Sequence, residues 1–165
     1  MRYHHCPKCG GALALNEKKE TSKPYCTVCG YIFYQNPAVG VAAIIMRDGK
    51  ILLGQRQGSY EGQWCIPCGY VEWDEDVHDA LRREFYEETG LTIAVQRVYA
   101  VHSNFHNPHQ HTVGIWFLAE EEGGILAAAD DLMDVAFFSY DTLPVLAFPT
   151  DIKVLEQLKT EGMLA

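Results

Sequence analysis

Between Gly69 and Leu91 the chain reads GYVEWDEDVHDALRREFYEETGL, and no other segment constrains the fold as tightly. Val77 to Thr89 reads as a helix. At roughly 100° per residue, Val77, Leu81, Glu84 and Glu88 fall within about 60° of one another, with Ala80, Phe85 and Glu87 at the edges of the stripe. Asp79, Arg82, Arg83 and Tyr86 point elsewhere. A charge run ordinarily marks a solvated helix face. Carboxylates at i, i+3 and i+4 beside a core instead repel one another and lose hydration unless cations neutralise them. Oxygen-only ligands suit Mg²⁺ or Mn²⁺, which bind a few carboxylates together with substrate phosphates and water. The pattern points to metal-assisted attack on a phosphate.

The same segment resembles the Nudix box, G-x5-E-x7-R-E-U-x-E-E-x-G-U with U a bulky apolar residue. Gly69, Glu75, Arg83, Glu84, Phe85, Glu87, Glu88, Gly90 and Leu91 match its fixed positions. The resemblance implies an α/β fold, the Nudix α/β/α sandwich with a mixed sheet, from residue 38 to 165. It implies that Glu84, Glu87 and Glu88 bind the divalent metal, with the Gly69 carbonyl as a further ligand. Arg83 would pair with carboxylates and orient the helix, and Glu75 would brace the loop. Water would then attack one phosphorus of a diphosphate in line. Its proton would go to a box glutamate or to a later acid, for which Glu120, Glu121, Glu122, Asp130, Asp131 and Asp134 are available.

Residues 1–34 have a different character. They carry four of the six cysteines and few aliphatic residues, so apolar burial alone does not fold them. Cys6-x2-Cys9 and Cys26-x2-Cys29, each pair followed by a glycine, have zinc-ribbon spacing. Four thiolates around Zn²⁺ make a closed, structural site. His4 and His5 are near, but the cysteines already fill the shell. A small N-terminal zinc ribbon at 1–34, joined by Tyr34-Gln35-Asn36-Pro37 to the hydrolase domain at 38–165, is the expected organisation.

The other two cysteines stand in Trp64-Cys65-Ile66-Pro67-Cys68, which resembles a redox dithiol in isolation. Such a motif needs a helix starting at the first thiolate to lower its pKa. Here Cys68 runs into Gly69-Tyr70-Val71-Glu72, where no helix begins, so strand and loop positions beside the active site are expected. Nudix proteins often carry Trp-x-x-Pro-Gly-Gly at this point, and Cys68 replaces the first glycine.

Strands are expected at 38–46, 51–56, 92–103, 111–121 and 135–138, with a turn at 47–50 and a loop at 122–133. A final helix is expected near 151–160, with Ile152, Leu155 and Leu158 at helical spacing. With 48% apolar and 21% charged residues, no bilayer-length apolar run and no apolar signal region, the chain reads as a soluble cytoplasmic protein. Its net charge of −9 disfavours a broad grip on nucleic-acid phosphates.

The ribbon followed by Y-x-N-P and the box resembles the zinc-ribbon Nudix members, which include NADH pyrophosphatases and enzymes that hydrolyse ADP-ribose or FAD. The S-Q-P-W-type segment of NADH pyrophosphatases is absent from VYAVHSNFHNPHQHTVGIWF, whereas a proline, Pro108, lies 17 residues after Leu91, as in ADP-ribose hydrolases. The expected function is divalent-metal-dependent cleavage of a nucleoside diphosphate derivative to a nucleoside monophosphate. Candidate substrate contacts are Arg56 for phosphate and Trp64 or Phe105 for a base; Trp116 and the histidines 102, 106, 109 and 111 are further candidates, weighed against core packing and a solvated loop. Alternatives are NADH pyrophosphatase, a non-catalytic nucleotide sensor, or an RNA-cap-removing enzyme whose ribbon grips RNA through Lys8, Lys18, Lys19 and Lys23. The ribbon and the final helix can both support a homodimer.

Overall fold

In the strand Ala38–Arg47 (β3) nearly every residue from Val41 to Ile45 is buried, which requires cover on both faces. Its pleat divides them: Val41, Ala43 and Ile45 face one apolar layer, Ala42 and Ile44 the other. The computed structural model describes residues 3–15 and 23–165, and the chain divides into two compact units, Met1–Pro37 and Ala38–Ala165.

In the second unit, Asp48-Gly49, both at positive φ, turn β3 into Lys50–Arg56 (β4), as a two-residue hairpin loop demands. Two short strands follow, Trp64–Cys65 (β5) and Cys68–Tyr70 (β6), then the helix Val77–Thr89 (α1). Leu91–Asn104 (β7), Thr112–Gly124 (β8) and Leu132–Phe138 (β9) precede a single 3₁₀ turn at Tyr140–Thr142 and the helix Pro149–Thr160 (α2). The sheet runs β5-β4-β3-β8-β7, with β6 also paired to β3 and β9 to β4. Only the β3–β8 pairing is parallel, so the sheet is mixed.

Each face carries one helix. Ala80, Leu81 and Phe85 of α1 pack with Val41, Ala43, Ile45, Leu52 and Phe117; Val154, Leu155 and Leu158 of α2 pack with Ala42, Ile44, Ile51, Leu53 and Trp116. This is the expected α/β/α sandwich. Helix α1 spans the residues read from sequence, begun by the Asp76 carboxylate accepting His78 N–H and ended by Gly90 at φ 71°. A side chain at Gly90 would also meet the Ile125 carbonyl at 2.6 Å.

Several expectations are corrected. Helix α2 starts two residues early because Pro149, with its fixed φ, occupies the first turn. Ile152 is exposed, and Asp151 takes the inward position instead. Cys68 lies in a strand paired with Ala42 and not in a loop. Phe85, read as an edge of the helical stripe, is fully buried, so the buried face is rotated toward it. No helix among the described residues is long and apolar enough to cross a membrane.

In the first unit Leu13–Ala14 (β1) and Tyr25–Cys26 (β2) pair antiparallel. The sulfurs of Cys6, Cys9, Cys26 and Cys29 lie within 4.8 Å of one another. Lys8 N–H donates to the Cys6 sulfur, and Val28 and Cys29 N–H donate to that of Cys26. These donors, Cys29 foremost, hold the Cys26 thiol down to about 6. Of the four lysines proposed for RNA, Lys18 and Lys19 lie outside the described residues, and Lys23 sits over the Tyr34 ring.

Phe85 anchors α1 to the sheet from a fully buried position. Phe85→Ala is expected to lower unfolding free energy by about 3–5 kcal/mol through lost burial and cavity formation, read as a shifted urea midpoint.

Candidate active site

The box residues meet where β6 leads into α1. Glu88 is 1% exposed, and its Oε2 accepts Cys68 N–H at 2.9 Å. Burial pushes its carboxyl up to about 9, with the Cys65 and Glu84 charges adding to the shift and the Cys68 N–H opposing it. One turn earlier, the Glu84 carboxylate lies directly on Gly69: a Cβ there would sit 2.1 Å from Glu84 Oε2. Glycine is required at 69 because the carboxylate fills that space. Burial also raises Glu84, with Arg83 opposing the shift and Glu87 and Asp130 adding to it. Glu87 is more exposed.

Arg83 joins these acids. Its Nε and NH2 donate to the two oxygens of Glu75 at 2.7 Å each, its NH1 to Glu84 at 2.8 Å and Glu87 at 3.2 Å, and its NH2 also to the Tyr70 carbonyl at 3.2 Å. Such a planar fork fixes several acceptors at once. Glu75 in turn accepts Glu72 N–H, so one guanidinium ties the loop to the helix.

Glu84, Glu87 and Gly69 line a cavity of about 410 Å³. Arg56 lines it too; its side chain is only 11% exposed, lies over the Phe148 ring and stands 3.9 Å from Asp131, so it is no ordinary surface arginine. Of the six later acids, Asp130 and Asp131 border this cavity. Glu121 is engaged by Arg47 at 2.7 Å, and Asp134 accepts Val135 N–H on β9; neither these nor Glu120 and Glu122 line it.

The two aromatic candidates are placed elsewhere. Trp64 packs edge-on against Phe138 at the α2-side core, and Phe105 is 67% exposed, edge-on to His111. Neither lines the cavity. Tyr60, His106 and Phe148 do, with ring centroids 5.4–5.7 Å apart. Tyr60 has a left-handed φ of 59°, and Asn104 Oδ1 is bonded to His106 Nδ1. His102 packs edge-on to Trp116. Sequence reading flagged His106 as one of four and missed Tyr60 and Phe148, which lie in loops without periodicity. It also missed Asp151, whose carboxylate accepts Ile66 N–H at 3.0 Å and Trp116 Nε1–H at 3.1 Å. Burial pushes Asp151 up to about 7, against the pull of these two donors. Cys65 is buried behind the site and Cys68 half-buried, with its thiol pushed well up by the Cys65 sulfur and by burial. A raised thiol at the start of a strand is the opposite of an activated redox cysteine.

The burial-raised carboxyls of Glu84 and Glu88 are what a hard divalent cation would relieve, so the donor chemistry suits Mg²⁺ or Mn²⁺, although Arg83 engages Glu84 and Glu87 and only the four cysteines among the described residues gather three or more ligand atoms within 4.8 Å. A NUDIX domain model matches residues 35–158. The chain therefore belongs to the Nudix hydrolase family. An ADP-ribose pyrophosphatase of Methanocaldococcus jannaschii is 41% identical over 120 residues, 72% of this chain and 71% of that protein. The NAD-capped RNA hydrolase NudC of Chromobacterium violaceum is 26% identical over 151 residues, 91% of this chain; the chain spans 55% of that relative's length. In structure, a NUDIX hydrolase from Nitrosomonas europaea superposes with a TM-score of 0.83 at 29% identity, covering 96% of this chain and 92% of its own.

Arg83 holds Glu75 down to about 2, with Glu72 N–H assisting. A lowered carboxyl stabilises the fold above its unfolded pKa and loses that contribution as pH falls through the folded value. The stability difference between wild type and Glu75→Gln is therefore expected to be full at pH 7 and to shrink from about pH 4.5 toward pH 2, as measured by urea unfolding at stepped pH.

Proposed function

We propose that the chain hydrolyses ADP-ribose to AMP and ribose 5-phosphate in a divalent-cation-dependent reaction. One observation carries this reading: Glu84 and Glu87 border a cavity of nucleotide size, with Glu88 buried behind them. Glu84, Glu87, Glu88 and the Gly69 carbonyl would hold Mg²⁺ or Mn²⁺. When bound, such a cation would supply neutralisation of phosphate charge, including the charge that develops as water adds to phosphorus and the P–O–P bridge breaks.

The remaining tasks fall to the chain. Arg83 keeps the carboxylates in one arrangement before substrate arrives. Arg56, half desolvated and close to the glutamates, binds a diphosphate oxygen. Tyr60, His106 and Phe148 receive the flat base. Asp130 or Asp131 accepts the proton of the attacking water. The similarity to the M. jannaschii enzyme supports the choice of ADP-ribose.

A second reading, removal of an NAD cap from RNA, is favoured by the length of the C. violaceum match, which at 151 residues extends into the cysteine-bearing unit. The net charge of −9 weighs against it. The discriminating experiment is product analysis after incubating the protein, with and without Mg²⁺, with ADP-ribose, FAD, NADH and NAD-capped RNA at equal concentration. Metal-dependent AMP from ADP-ribose is expected, and Glu88→Gln should lower turnover by roughly two orders of magnitude or more with an unchanged circular dichroism spectrum. Release from NADH or capped RNA alone overturns the substrate assignment.

For the cysteine cluster, four thiolates in one shell fit zinc and leave no position for a substrate. Metal analysis should find about one zinc per chain, and a strong chelator should abolish amide-exchange protection in residues 23–37.

A further inference from the structure

Besides Glu88, the only buried carboxylate among the described residues is Asp151, at 2% exposed. No cation among the described residues forms an ion pair with it; its partners are two neutral donors, Ile66 N–H and Trp116 Nε1–H. The Arg56 charge reaches Asp151 without forming an ion pair, and both residues line the cavity; even so, a buried carboxylate is a poor way to stabilise a fold, since apolar packing of similar volume does as well or better. The reason for its presence lies in what it holds.

Ile66 stands two residues before Cys68, and Cys68 N–H is the group that donates to Glu88 Oε2. The residue between them is Pro67, whose ring fixes φ and whose carbonyl accepts Ala43 N–H at 3.1 Å. Ile66 and Cys68 are thus joined by one stiff, anchored residue. The α2 carboxylate and the α1 carboxylate grip the two ends of a single short segment. A shift of Ile66 is passed to the Cys68 N–H with little slack. Trp64, at the far side, is held separately by Val145 and Ala147.

We propose that Asp151 is a positioning residue for the metal site, acting through Ile66 and Pro67 on the Cys68 N–H that orients Glu88. This rests on Glu88 being a cation ligand, as in the function proposed above. Groups behind a ligand that fix its orientation commonly change metal affinity by roughly tenfold or more when replaced.

The test uses the zinc-loaded full chain and Mn²⁺ alone, followed by calorimetry and by the electron paramagnetic resonance of free Mn²⁺, with no substrate present. Asp151→Asn keeps the volume but turns an N–H donor toward one of the two donors it must accept. It is expected to weaken Mn²⁺ binding by roughly tenfold. Trp116→Phe removes the other partner of the same carboxylate while leaving the Ile66 contact, and is expected to change Mn²⁺ binding less than twofold. Equal losses in both variants would mean general loosening and would overturn the proposal, as would Mn²⁺ binding of wild-type strength in Asp151→Asn. Amide exchange of the wild-type protein gives a measurement independent of any variant. Mn²⁺ should slow exchange in the segments around 64–69 and 147–152 together with α1, and protection confined to α1 would refute the coupling. Wild-type protein that binds no Mn²⁺ at the box would remove the metal reading and this inference together; binding that is indifferent to Asp151 removes the inference alone.

Discussion

Taking Glu88 out of water sets the terms for the rest of the site. A carboxylate with a single N–H partner in an apolar layer is held in its neutral form. Glu84, one turn away, is also raised by burial but is paired with Arg83, which serves Glu75, Glu84 and Glu87 and makes no bond to Glu88 among the described contacts. Some electrostatic relief for Glu88 comes from the Arg56 charge on the cavity side. Under the proposed function a dication on that side would ionise the buried acid and draw a diphosphate toward it, so that one set of residues would be both a desolvation problem and a catalytic apparatus.

The sandwich makes this placement possible. Because β3 is buried on both faces, α1 and α2 are fixed to one sheet through separate apolar layers. Strand β6 pairs with β3 and leads into α1, so Gly69 and Glu84 are brought into contact by backbone pairing on one side and helix packing on the other. A methyl group at residue 69 would displace the Glu84 carboxylate from that contact.

The box was legible in sequence because its constraints are local. Helical spacing put Glu84 and Glu88 on the buried side and gave the span of α1, while its caps, Asp76 and Gly90, came from the structure. A continuous apolar run and the Asp-Gly turn marked β3 and β4 equally well. The cavity walls were not legible. Trp64 and Phe105 drew attention as aromatics near the box, but pleat direction sends Trp64 into the core and the loop turns Phe105 to solvent. Tyr60 and Phe148 carry no periodic signal, and Asp151, although in step with Val154, Leu155 and Leu158, has a charged side chain that masks its inward position. Their roles exist only after three distant segments have been brought together, and Asp151 was displaced from notice by Ile152, which has the apolar side chain but the outward angle.

The aromatic wall of the cavity is assembled from Tyr60 in the β4–β5 loop, His106 in the β7–β8 loop and Phe148 just before α2. None of the three belongs to a strand, and none shares a segment with the carboxylates. Substitutions at Tyr60 or His106 would reshape this wall without touching the helix-borne carboxylates or either apolar layer, whereas Phe148 also carries the Arg56 guanidinium. If this wall holds the base as proposed, a change of nucleotide preference would need only loop substitutions, with the box carboxylates and both apolar layers left in place.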